Sequence, residues 1–91
     1  MQIGIMKNIQ FTRLVRAEGR LREFNFRRFT GKDGELLFSI DVVDDRGNRI
    51  IFRMQKEEGG WKIVPGKFPP WVMVNEQNFN DLIEDELRLA S

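Results

Sequence analysis

Leu36-Leu37-Phe38-Ser39-Ile40-Asp41-Val42-Val43 is the stretch that decides the fold. Leu36, Phe38, Ile40 and Val42 share one parity, and Leu37, Ser39, Asp41 and Val43 the other. Such alternation at period two marks a half-buried β-strand. Asp44-Asp45-Arg46-Gly47-Asn48 follows, with Gly and Asn suited to positive φ, and reads as a tight hairpin connection. The next strand sets Ile50, Phe52 and Met54 on the core face and Ile51, Arg53 and Gln55 outside. Glu57-Glu58-Gly59-Gly60 is a second turn, and Trp61 to Val64 a short strand with Trp61 and Ile63 inward.

Upstream, Arg22 to Phe29 carries Phe24 and Phe26 on one face, while Leu21 and Phe29 have the opposite parity, which suggests a bulge or a second semi-buried face. Thr30 to Glu35 joins this strand to the deciding one. Earlier still, Ile9 to Ala17 has Ile9, Phe11 and Val15 in phase, with Glu18-Gly19 as the turn. Five strands joined by about two to six residues leave no room for parallel crossovers. An antiparallel meander is therefore expected.

The last quarter changes character. Pro65, Pro69 and Pro70 remove three amide donors and end the sheet. Phe79, Leu82, Ile83, Leu87 and Ala90 then recur at helical spacing, with Asn75 as N-cap, so a helix is expected over 76–89. The predicted class is α+β: an antiparallel β-meander of about five strands with one C-terminal α-helix packed on one face. Residues 1–91 form a single domain, with 1–8 expected to be poorly ordered. The expected core is Phe24, Phe26, Leu36, Phe38, Ile40, Val42, Ile50, Phe52, Met54, Trp61, Ile63, Phe79, Leu82, Ile83 and Leu87.

Five strands make a sheet about 20 Å wide, and a helix is about 10 Å across, so one helix covers half of one face. Phe68, Trp71, Val72 and Val74 are the local cover for the remainder. Curling of the sheet and a partner chain are the other two solutions.

The 91 residues contain no Cys, His or Tyr. Thiolate and imidazole metal sites, Cys nucleophiles and His-based triads are thereby excluded within this chain. Asp41, Asp44, Asp45 and Glu35 match no calcium-loop spacing, and Gly31-Lys32-Asp33-Gly34 lacks that of a phosphate loop. No metal, cofactor or catalytic residue is assigned, and a non-enzymatic role is expected. No apolar run approaches the ~20 residues of a membrane helix. Met1 to Lys7 does not read as a secretory signal, so a cytoplasmic domain with no membrane partner is expected.

Fifteen bases against fourteen acids leave a net +1, but the first thirty residues alone hold seven bases and two acids. Within them, Phe24-Asn25-Phe26 lies among Arg20, Arg22, Arg27 and Arg28. Arg interleaved with aromatics suits single-stranded nucleic acid, where guanidiniums meet phosphates and rings stack on bases. Because Phe24 and Phe26 share the core parity, the candidate contacts are Arg20, Arg22, Arg27, Arg28 and Phe29. Nucleic-acid binding is the alternative to the leading expectation, a protein-interaction or self-association module acting through a second surface. Leu37, Val43 and Ile51 share the outward parity, with Leu14 and Phe29 as neighbours, and form a candidate interface for a protein partner or a weak homodimer. Strands followed by one helix are also similar in outline to the Pur-type repeat, a single-stranded nucleic-acid binder. That family's motifs do not occur here, and no residue role carries over.

Overall fold

A computed structural model describes residues 9–90; the N-terminal stretch expected to be poorly ordered lies outside them. The chain forms β1 (Gln10–Ala17), β2 (Arg20–Thr30), β3 (Leu36–Val43), β4 (Arg49–Glu57) and β5 (Gly60–Ile63), then α1 (Pro70–Met73) and α2 (Glu76–Ala90). The strands form one antiparallel sheet in sequence order, β1-β2-β3-β4-β5. The expected α+β meander with its C-terminal helix is thus the observed fold. The β1–β2 register runs without a bulge from Gln10↔Arg27 to Ala17↔Arg20. Glu18 and Gly19 close this hairpin with φ of 55° and 79°, the paired left-handed geometry of a two-residue turn whose twist matches the strands.

One transverse row shows how parity becomes a core. Phe11, Phe26, Ile40 and Phe52 are successive register partners across β1 to β4, and all four are buried. Phe79 of α2 sits over them, its ring centroid 5.0 Å from Phe24, 6.1 Å from Phe26 and 5.4 Å from Phe52. The sheet curls around this centre. Glu86 of α2 pairs with Arg13 on β1, and Glu84, two residues earlier, binds Trp61 on β5. A flat sheet would set those two edges about 20 Å apart. Two neighbouring helix residues span them only because the edges are drawn together.

The Pro-rich segment completes the cover. Pro70 opens α1, where its missing amide costs nothing. Trp71 and Val72 are buried, and Phe68 packs against Phe52. Three expectations are corrected. Val74 is exposed, because α1 ends at Met73 and turns it outward. Leu36 is exposed as well, since it lies at the first position of β3, at the rim of the sheet. Ile50, Leu82 and Leu87 are only partly buried against the core. Asn75 precedes α2, and its carbonyl accepts the first helical bond from Phe79 N (2.9 Å). Its side chain, however, ties the two helices together: Nδ2 donates to Trp71 O (2.8 Å), and Oδ1 accepts from Asn78 Nδ2 (2.7 Å).

Helix α2 also seals the free edge of β5. Trp61 N donates to Asn80 Oδ1 (2.7 Å) and Ile63 N to Glu76 Oε2 (2.8 Å). The close approach of Asn80 requires glycine at position 60, where φ is 124° and an added Cβ would lie 2.8 Å from Asn80 Oδ1.

Candidate functional site

The face of the sheet away from α2 is assembled from the outward parity of each strand. Arg27 of β2 pairs with Ser39 of β3, and Ser39 with Arg53 of β4, so the three form one transverse row. The next row towards the rim is Phe29, Leu37 and Gln55. The Arg53 guanidinium lies 5.6 Å from the Phe29 ring centroid, bridging the two rows. Arg27, Arg28, Phe29, Ser39 and Arg53 line an open depression of about 470 Å3. Among the described residues, no carboxylate forms an ion pair with Arg27, Arg28 or Arg53.

The row on the other side of Arg27 is Thr12, Asn25, Asp41 and Ile51, and its polar groups are satisfied by one another and by Arg49. Thr12 Oγ1 donates to Asn25 Oδ1 (2.7 Å), Asn25 Nδ2 to Asp41 Oδ1 (3.0 Å), and Arg49 Nη2 to Asp41 Oδ2 (3.3 Å). Arg49 therefore offsets the one acid of that row, and the positive charge of Arg27 and Arg53 is left uncompensated. Together the two rows form an electropositive surface with a hydroxyl and an aromatic ring at its centre, able to hold an anion.

The candidate nucleic-acid residues separate into two groups. Arg27 and Phe29 share the outward parity at one end of β2, with Arg28 between them on the inward parity, opposite Phe38. Arg20 and Arg22 lie at its other end, up to about 30 Å away along the strand. Both bond Asp45 Oδ1, at 3.0 and 2.9 Å. Arg22 has the parity of Phe24 and Phe26 and points inward. Its side chain is 5% exposed, Nε donates to Ala17 O (3.1 Å), and the guanidinium lies 4.5 Å from the Trp71 ring centroid. It is a buried clamp and presents nothing to a ligand.

The candidate apolar trio is not brought together either. Leu37 has the outward parity but is buried between its cross-strand partners Phe29 and Gln55. Val43 and Ile51 are exposed, yet Val43 pairs with Arg49 and Ile51 with Asp41, so each has a charged side chain as its direct neighbour. Ser39 and Arg53 were absent from both candidate sets. Their outward parity is readable from sequence; their alignment with Arg27 depends on strand register.

Carboxylates elsewhere are engaged in holding turns and the helix. The Asp44 carboxyl is held below its ordinary 3.8 by amide bonds from Asn48 and Arg46. Asp45 is lowered by its bond from Arg22 and the charges of Arg22 and Arg20. Glu84, which accepts from Lys56 Nζ (2.7 Å) and Trp61 Nε1 (2.9 Å), is lowered below 4.5 chiefly by Lys56. A carboxyl lowered in the folded state stabilises the fold above its unfolded pKa, and that contribution is lost as pH falls through the folded pKa. The melting temperature should accordingly stay level from about pH 7 to 5 and fall below about pH 4. Asp45→Asn should lower it at neutral pH and narrow the gap between neutral and acid values. An unchanged gap would show that Asp45 does not contribute.

Among the described residues, no helix is long and apolar enough to cross a membrane. Compared with known proteins, the chain matches no family model, no curated protein and no solved structure.

Proposed function

We propose that this chain is a non-enzymatic binding module and that the outer face of its sheet takes single-stranded nucleic acid. The observation that carries the reading is the pair of outward arginines Arg27 and Arg53, neither in an ion pair among the described residues, beside the half-buried Phe29 ring and the Ser39 hydroxyl, with Arg28 of inward parity at the rim of the same depression. Arg27 and Arg53 are two strand spacings apart, about 10 Å, which leaves room for a sugar–phosphate backbone between them. The guanidiniums pair with phosphate oxygens, and Ser39 adds a neutral donor. Phe29, with Arg53 beside it, supplies a plane on which a base stacks. An open surface suits a polymer better than it suits a small substrate, which calls for a concave pocket. Asp44, Asp45 and Glu84 are displaced downward, the direction that disables a carboxyl as a general acid at neutral pH. The competing reading, a protein contact through Leu37, Val43 and Ile51, is weakened by the burial of Leu37 and the charged neighbours of the other two.

Titration with a short single-stranded oligonucleotide at low salt should shift the amides of Arg27, Arg28, Phe29, Ser39 and Arg53 and leave those of Arg20 and Arg22 in place. With two phosphates neutralised, by Arg27 and Arg53, log affinity should fall with log salt at a slope of about −1.4. The double change Arg27→Glu, Arg53→Glu should weaken binding at least about tenfold, two charge-assisted contacts being lost. No shift at low salt, or shifts confined to the Val43–Ile51 end, would remove the reading.

A further inference from the structure

The two edges of the sheet are treated differently. Helix α2 takes the outward amides of β5 through Asn80 and Glu76. Among the described residues, β1 has no such cover. The bond from Arg28 N to Ile9 O (3.0 Å), with the register that follows it, turns the backbone groups of Phe11, Arg13, Val15 and Ala17 towards β2. Those of Gln10, Thr12, Leu14 and Arg16 therefore point away from the sheet. Among the described residues nothing bonds their amides, and one bond reaches their carbonyls, from Arg13 Nη1 to Thr12 O (2.8 Å). Helix α2 approaches without sealing this edge. It is held by the Arg13–Glu86 pair, and a depression of about 320 Å3 between Leu14 and Leu82 separates the two elements.

We infer that β1 pairs antiparallel with β1 of a second copy of this chain, joining two five-stranded sheets into one about a twofold axis. A row of alternating outward donors and acceptors at strand spacing is matched by another extended strand. A second copy fits because one register uses every outward group on both chains. Gln10 lies opposite Arg16 of the second copy and Thr12 opposite Leu14, each such pair exchanging two hydrogen bonds. Sliding by two residues in either direction loses one of the four pairs. The same register places Arg13 of both copies at the axis. Each arrives with its own Glu86, so the axis carries two guanidiniums and two carboxylates, a neutral cluster in which the bridges can also cross. The axis is perpendicular to the sheet, so both outer faces end on the same side.

Light scattering should show the mass rising from 10.8 kDa towards twice that value between about 10 µM and about 1 mM. Over the same range, hydrogen exchange at the Thr12 and Leu14 amides should slow several-fold as dimer fills. Phe11 and Arg13, already bonded within the sheet, should not change. Leu14→Pro removes an outward amide and no intramolecular ladder bond. It should abolish the concentration dependence while leaving the circular dichroism spectrum intact. A monomeric mass at the highest concentration would overturn the inference. So would a dimer in which Thr12 and Leu14 exchange as fast as in the monomer, a reading on the native chain that does not depend on how the proline variant folds.

Discussion

Phe79→Ala is expected to lower the unfolding free energy by about 3–5 kcal/mol, the range for removing a large ring from a packed core. A domain of 91 residues has roughly 5–14 kcal/mol to lose. The effect comes from position. Phe79 is fully buried and meets Phe24, Phe26 and Phe52, so one side chain joins α2 to two strands at once. The curl of the sheet leaves few other groups able to move into the gap, and the cavity term therefore remains close to its full size. Phe79→Leu keeps most of the volume and should cost much less. Urea unfolding followed by the fluorescence of buried Trp61 and Trp71 measures both. A cost below about 1 kcal/mol for the alanine would mean that α2 does not rest on the sheet through this ring.

The same packing explains what could be read from the sequence and what could not. Parity assigned the inner faces of β2 to β5 because each strand alternates and the turns between them are short. Arg22 has the parity of Phe24 and Phe26 and is buried with them, although it was expected among the surface contacts. Parity is the better guide there than residue type. Parity fails at the ends of strands, where cover depends on elements distant in sequence. Leu36 has the core parity and is exposed at the rim, while Leu37 has the outward parity and is buried between Phe29 and Gln55. The candidate site was half legible for a related reason. Arg27, Arg28 and Phe29 are neighbours in sequence. Ser39 and Arg53 join them through register, and register across the loop from Thr30 to Glu35 is not fixed by its length. The capped edge of β5 was not legible at all, since it depends on the path of α2.

Arg22→Ala is expected to cost about 2–4 kcal/mol, and Arg27→Ala, on the same strand, less than about 0.5 kcal/mol. Both are arginines of β2, so the contrast isolates what burial does. Arg27 is exposed and, among the described residues, is in no ion pair. Arg22 is closed in: its guanidinium lies over Trp71, Nε holds Ala17 O, and Nη1 holds Asp45. Removing it opens a gap beside Trp71 and takes away a charge-assisted donor to a buried residue. Asp45 itself is more than half exposed and returns to water at little cost. The larger share of the loss therefore comes from the Trp71 contact and the Ala17 bond rather than from the ion pair. Salt discriminates between these sources. Screening weakens the exposed half of an ion pair and leaves packing and a buried hydrogen bond nearly unchanged. The cost of Arg22→Ala should thus be almost the same at low and high ionic strength, and Arg22→Met, which restores volume without charge, should recover part of it. A cost that vanishes at high salt would make Arg22 a surface charge held by Asp45, and would return it to the residues available for an anionic ligand.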